Sequence, residues 1–263
     1  MKTVTSKDGT IIAYDQSGQG PVVILVDGAL QYRAFDQGMA PLADLLAQHF
    51  TVIHYDRRGR GDSTDTKPFA LEREIEDIES LIDEAGGPAF LYGISSGAAL
   101  ALEATLALGS KVKKLVMYEA PYNDDDASRH RWREYRRQLN ELVAAGRGGD
   151  AVGLFMMLVG ASAEDVEGMH QHPMWSLWEK VGLTLAYDAA ALGEEASVPV
   201  ARASRITVPT LVMNGSGSEW SFMQNTAMTL AKAIPNAQHR TLEGQTHEVS
   251  AEALAPVLIE FFK

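Results

Sequence analysis

The sequence predicts an α/β protein, and three observations carry that expectation. Short runs of β-branched and aliphatic residues recur along the chain, with segments of helical apolar spacing between them. Those runs are continuously apolar, which fits strands buried on both faces of a mostly parallel sheet. Finally, 46% of the 263 residues are hydrophobic and 22% charged, enough apolar material for the core of one α/β unit carrying an insertion.

In chain order, "TIIAYDQ" alternates as a strand does and runs into the turn-rich "SGQGP". "VVILV" (22–26) and the later runs "TVIHYD", "AFLYG", "VKKLVMY" and "TLVMNG" read as buried strands. In "LEREIEDIESLIDEAGG" the residues Ile75, Ile78, Leu81 and Ile82 lie on one helical face, and Gly86-Gly87 marks the end. From Tyr122 to Ser204 no strand signal occurs, while "RHRWREYRRQLNELVAAG" and "AVGLFMMLVG" read as helices. The expected organisation is a core of 1–121 and 205–263 with a helical cap of 122–204 inserted over the carboxyl edge of the sheet. "QHRTL" is the last expected strand.

The net charge of −12 argues against nucleic acid or an anionic membrane as partner. With no cysteine, disulfides and thiolate metal or redox sites are excluded, which suits a reducing compartment. The first residues carry no signal-peptide pattern, and no apolar run approaches the ~20 residues that span a bilayer. A cytoplasmic location is the expectation.

The stretch "AFLYGISSGAALAL" passes abruptly from strand to helix through Gly93, Ile94, Ser95, Ser96 and Gly97. G-x-S-x-G alone is a weak signal. After a buried strand and before a helix it has the setting of a nucleophile elbow, a strained turn that holds the serine hydroxyl clear of the sheet. Gly93 and Gly97 allow close backbone approach, and Ala98 and Ala99 keep the helix near the sheet. At this point the chain resembles the α/β-hydrolase superfamily over nearly its full length. "VVILVDGAL" is similar to the strand and oxyanion loop, "YDRRGRGDS" to the turn after the next strand, "VPTLVMNG" to the late strand before the usual acid, and "LEGQTHEVS" to the histidine loop. The resemblance implies Ser95 as nucleophile and His247 as general base, with backbone N–H groups of Ala29 and Ser96 as the oxyanion hole.

The acid departs from the family pattern. Where most relatives place an aspartate after the late strand, this chain has Ser216, Gly217 and Ser218, then Glu219. Loss of the acid from such a triad costs about 10⁴-fold in turnover, so a replacement is sought. "KLVMYEAPYND" puts Glu119 at the end of the strand after the elbow helix, where many haloalkane dehalogenases carry their acid. Glu119 is the favoured acid, with Glu219, the aspartates 124–126, or no acid at all as alternatives. Dehalogenation itself is disfavoured, because that chemistry places aspartate where Ser95 stands. The usual histidine before the oxyanion glycine is replaced by Asp27, which must face away from a developing oxyanion.

Arg57, Arg58 and Arg60 of "YDRRGRGDS" read as structural and not as an anion site, and His170 and His172 as surface residues. The basic "RHRWREYRR" reads as a solvated amphipathic helix capped by aspartate. Phe155, Met156, Met157, Met174, Trp175 and Trp178 supply apolar surface to the cap, some of it facing the pocket. The resemblance thus implies a serine hydrolase of carboxylic esters, lactones or similar small acyl compounds, acting through an acyl-enzyme with no metal and no organic cofactor. A lyase using the same triad, or a ligand-binding protein on a hydrolase scaffold, stands as the alternative.

Overall fold

A computed structural model describes residues 1–35 and 38–263. Its strands are β1 (Lys2–Thr5), β2 (Ile11–Ser17), β3 (Val22–Val26), β4 (Thr51–Tyr55), β5 (Ala89–Ile94), β6 (Val112–Tyr118), β7 (Thr210–Gly215) and β8 (Ala237–Leu242). They form one sheet in the order β1-β2-β4-β3-β5-β6-β7-β8. β1 and β2 pair antiparallel, as do β2 and β4; every later pairing is parallel. β1 is the one strand that the sequence reading passed over, a short exposed ribbon with no apolar run to announce it.

The apolar strands are covered on both faces, as their composition demands. Val23, Leu25, Val116 and Leu211 point towards α1 (Met39–Leu46) and α11 (Ala251–Phe262). Ile24, Val26, Leu91 and Leu115 point the other way, towards α2 (Leu71–Glu84) and α3 (Ser96–Leu108). In α2 the stripe expected from the spacing is buried at Ile78, Leu81 and Ile82 and partly buried at Ile75, with Glu74 and Asp77 buried beside it. Between β6 and β7 the chain is helical: α4 (Asp126–Ala144), α5 (Gly148–Leu158), α6 (Ala163–Met169), α7 (Trp175–Val181), α8 (Leu185–Leu192) and α9 (Val200–Ala203). α10 (Phe222–Ala233) follows β7. The Asp125 side chain caps α4 by accepting from Ala127 N and Ser128 N.

The turn after β4 holds three arginines that are almost wholly buried. Arg57 grips Glu74 through two N–H···O bonds, at 2.7 and 2.9 Å. Arg58 does the same to Asp77 at 2.8 and 2.7 Å, and reaches Asp8 at 2.8 Å. Arg60 donates to Asp188 Oδ2 at 2.7 Å. Each guanidinium has carboxylate partners inside the protein, so the turn is a brace that ties β4 to its surroundings.

The elbow between β5 and α3 depends on close packing of main chain. A Cβ on Gly97 would stand 2.3 Å from Val26 O and 2.5 Å from Asp27 O. One on Gly93 would stand 2.4 Å from Gly97 O. Gly97→Ala is therefore expected to lower unfolding free energy in urea by about 3 kcal/mol. Gly87→Ala, whose methyl meets nothing within 4 Å, is the control and should leave the midpoint nearly unchanged.

Candidate active site

Ser95 sits between β5 and α3 with φ 56° and ψ −130°, a conformation that L-residues avoid. Its N–H bonds to Tyr118 O at 3.0 Å, which fixes this strained residue to the end of β6. The side chain is half-buried and lines a cavity of about 1130 Å³.

One residue past the end of β6, Glu119 also has positive φ, 45°, and its N–H bonds to Met213 O at 3.0 Å. This backbone turn directs the carboxylate inward, where it is 1% exposed. Oε1 accepts from Gly215 N at 2.9 Å, and Oε2 lies 2.7 Å from His247 Nδ1 and 3.3 Å from Ser218 Oγ. An ionised carboxylate only accepts, so Nδ1 carries the proton and Nε2 is left as the basic nitrogen. The loop bearing His247 is itself held, since the Tyr118 hydroxyl donates to Thr246 O at 2.6 Å. The Trp220 ring stands edge-on to the imidazole, with centroids 5.2 Å apart.

The other acid candidates are engaged elsewhere. Asp124 accepts from Val198 N at 2.9 Å, Asp125 caps α4 and Asp126 pairs with Arg129. Glu219 is exposed and lines the cavity, but Nδ1 of His247 faces Glu119. Ser218, after β7, has its hydroxyl 3.3 Å from Glu119 Oε2.

Ala29 and Ser96 line the same cavity as Ser95 and His247. The loop carrying Ala29 runs against the elbow, such that a Cβ on Gly28 would be 3.1 Å from Ser95 Cβ. Ser96 opens α3, where the first N–H groups have no partner within the helix. Asp27 turns away: it is buried, with Oδ2 2.9 Å from His54 Nε2. Its charge is thus directed into the core, as an oxyanion site at this loop would require.

The cavity walls are largely apolar and come from several elements, including Leu30, Trp132, Tyr135, Leu185 and Trp220. Of the apolar residues expected in the helical segment, Phe155, Met156, Met174 and Trp178 face the cavity. Met157 is 45% exposed, and Trp175 packs on His170 instead. His170 and His172 are both exposed. Among the described residues, no grouping of histidine and carboxylate side chains could hold a metal ion.

One residue of the site had no place in the sequence reading. Asp188 of α8 is 5% exposed and lines the cavity. Its Oδ1 accepts from Ser96 Oγ at 2.8 Å and from Arg57 Nη1 at 2.5 Å. Burial pushes its pKa up, but the charges of Arg60 and Arg57 outweigh that and hold the carboxyl below its ordinary value. The available signal was a lone aspartate inside the apolar "LTLAYDAAAL", since an acid there must find a buried cation.

The sequence model of the alpha/beta hydrolase family matches residues 17–257. An alpha/beta hydrolase from Sphaerobacter thermophilus DSM 20745 is 50% identical, covers 100% of both chains and superposes with a TM-score of 0.86. A thermophilic esterase from Thermogutta terrifontis shares the fold at 21% identity, with 99% of this chain and 97% of that one covered and a TM-score of 0.72. Among curated sequences, the uncharacterized hydrolase YraK of Bacillus subtilis (strain 168) is 29% identical over 115 residues. That match spans 42% of this chain and 41% of YraK.

The short contact to Glu119 should give His247 Nδ1–H a strongly downfield proton resonance. It is expected to vanish in Glu119→Gln and persist in Glu219→Gln; the reverse pattern would assign the imidazole to the other carboxylate.

Proposed function

The chain belongs to the alpha/beta hydrolase family, and we propose that it is a serine hydrolase of carboxylic esters, lactones or related small acyl compounds. The observation that carries this reading is the 2.7 Å contact between His247 Nδ1 and buried Glu119, behind a cavity whose wall includes both His247 and Ser95. In this reading residues 122–204 act as a cap on a core of 1–121 and 205–263.

Ser95 Oγ attacks the carbonyl carbon while His247 Nε2 takes the hydroxyl proton. Glu119 holds the imidazole in the required tautomer and stabilises the imidazolium. The carbonyl oxygen becomes an oxyanion facing the N–H groups of Ala29 and Ser96. Collapse breaks the bond to the leaving alkoxide, which takes the proton from His247 and departs as an alcohol. Water, activated by the same imidazole, then attacks the acyl-enzyme and releases the acid, restoring Ser95. The apolar walls favour acyl groups of modest polarity. The contact of Glu119 with His247 favours catalysis over the alternative of a binding protein on a hydrolase scaffold.

Short-chain nitrophenyl esters test the proposal. Sustained turnover is expected, together with a covalent fluorophosphonate adduct, and both should be lost in Ser95→Ala. Glu119→Gln should lower kcat by about 10³- to 10⁴-fold, with Glu219→Gln close to the parent. Tight ester binding without turnover, or labelling that survives Ser95→Ala, would overturn the assignment.

A further inference from the structure

Asp188 takes no part in the proton transfers of the proposed mechanism, yet it is the point where the two halves of the proposed oxyanion hole meet. We infer that Asp188 is a positioning residue for that hole, acting through the Ser96 hydroxyl and the guanidinium groups of Arg57 and Arg60. The inference rests on the serine-hydrolase reading of the same cavity.

The first half of the hole is the loop after β3. Arg60 Nη1 donates to Gly28 O at 2.6 Å and to Gln31 O at 3.3 Å, and Arg57 Nη1 donates to Asp27 O at 3.2 Å. In a planar trans peptide the C=O of one residue and the N–H of the next point in opposite directions. By holding Gly28 O, Arg60 therefore turns the Ala29 N–H the other way, out of the arginine cluster. Ala29 is on the cavity wall. The direction of one oxyanion donor is thus set by an arginine that never touches substrate.

The second half is Ser96. Its N–H belongs to the first turn of α3, and its side-chain hydroxyl donates to Asp188 Oδ1 at 2.8 Å. The same carboxylate accepts from Arg57 Nη1 on Oδ1, at 2.5 Å, and from Arg60 Nη2 on Oδ2, at 2.7 Å. A single planar group from α8 therefore registers the elbow against both arginines that grip the oxyanion loop. Arg60 Nε also donates to Thr184 Oγ1 at 3.0 Å, just before α8, so the whole guanidinium plane is fixed. Oxyanion stabilisation depends on such preorganisation, because donors already aimed at the developing charge need not reorient during reaction.

Two variants separate positioning from mere support. Ser96→Ala removes the hydroxyl and leaves both arginine contacts of Asp188 in place; Asp188→Asn weakens all three. The expected fall in kcat is on the order of tenfold for Ser96→Ala and a hundredfold for Asp188→Asn, with KM unchanged. Affinity for an aryl trifluoromethyl ketone, whose hemiketal oxygen mimics the oxyanion, should fall by the same factors as kcat. Because Ser96→Ala keeps the ion pairs, it decides the matter even where Asp188→Asn does not fold. A parent-like kcat and ketone affinity in Ser96→Ala, or a loss confined to KM or to melting temperature, would overturn the inference while leaving the hydrolase reading intact. Absence of Ser95-dependent turnover in the unsubstituted protein would overturn both.

Discussion

Two backbone hydrogen bonds at the carboxyl edge of the sheet fix the two residues around which the site is built, Ser95 and Glu119. Ser95 N–H bonds to Tyr118 O and Glu119 N–H to Met213 O, each at 3.0 Å. They extend the parallel ladder of β5, β6 and β7 by one rung beyond the strands, at the two residues that then leave it with positive φ. A left-handed conformation costs about 1–2 kcal/mol at a residue with a side chain. Here the ladder bond on one side and the packed helix or buried carboxylate on the other hold it in place. The outcome is that serine and glutamate leave adjacent strands at nearly the same height. A histidine loop tied to β6 through Tyr118 then brings His247 to the glutamate.

This geometry also suits a serine, and not a second carboxylate, at position 218. Once a carboxylate projects from the end of β6 towards the histidine loop, a second one at position 218 would add repulsion to a nearly dry site. A hydroxyl there donates instead, at 3.3 Å, and the Gly215 N–H takes the other oxygen. The end of β7 and the loop after it thus supply hydrogen-bond donors to the Glu119 carboxylate.

What the sequence made legible was whatever is written in consecutive residues. The apolar runs identify the interior strands, the Ile75–Ile82 spacing identifies a helical face, and the strand–GISSG–helix succession identifies the elbow. Glu119 could be favoured over Glu219 because it ends a recognisable strand, whereas the way its carboxylate turns towards His247 is set by tertiary packing. β1 was missed because a four-residue exposed strand has too little apolar content to register. Asp188 was missed for a different reason: its partners Arg57 and Ser96 lie 131 and 92 positions away. The charge of the arginine turn was evident and its structural role anticipated, whereas its partners are set by tertiary packing alone.

The buried ions between the turn after β4, α2 and α8 are hard to explain by stability. Desolvating a guanidinium costs several kcal/mol before its partners repay it, and apolar replacements of such sets are often neutral or stabilising. Aliphatic side chains in place of Arg57, Arg60, Glu74 and Asp188 could fill the volume equally well. They could not supply N–H donors aimed at Asp27 O and Gly28 O, nor an acceptor for the Ser96 hydroxyl. Directional bonds to the loop after β3 and to the side chain that follows Ser95 are what these charges add. A buried charge cluster placed behind a strained elbow is therefore better understood as fixing geometry than as adding cohesion.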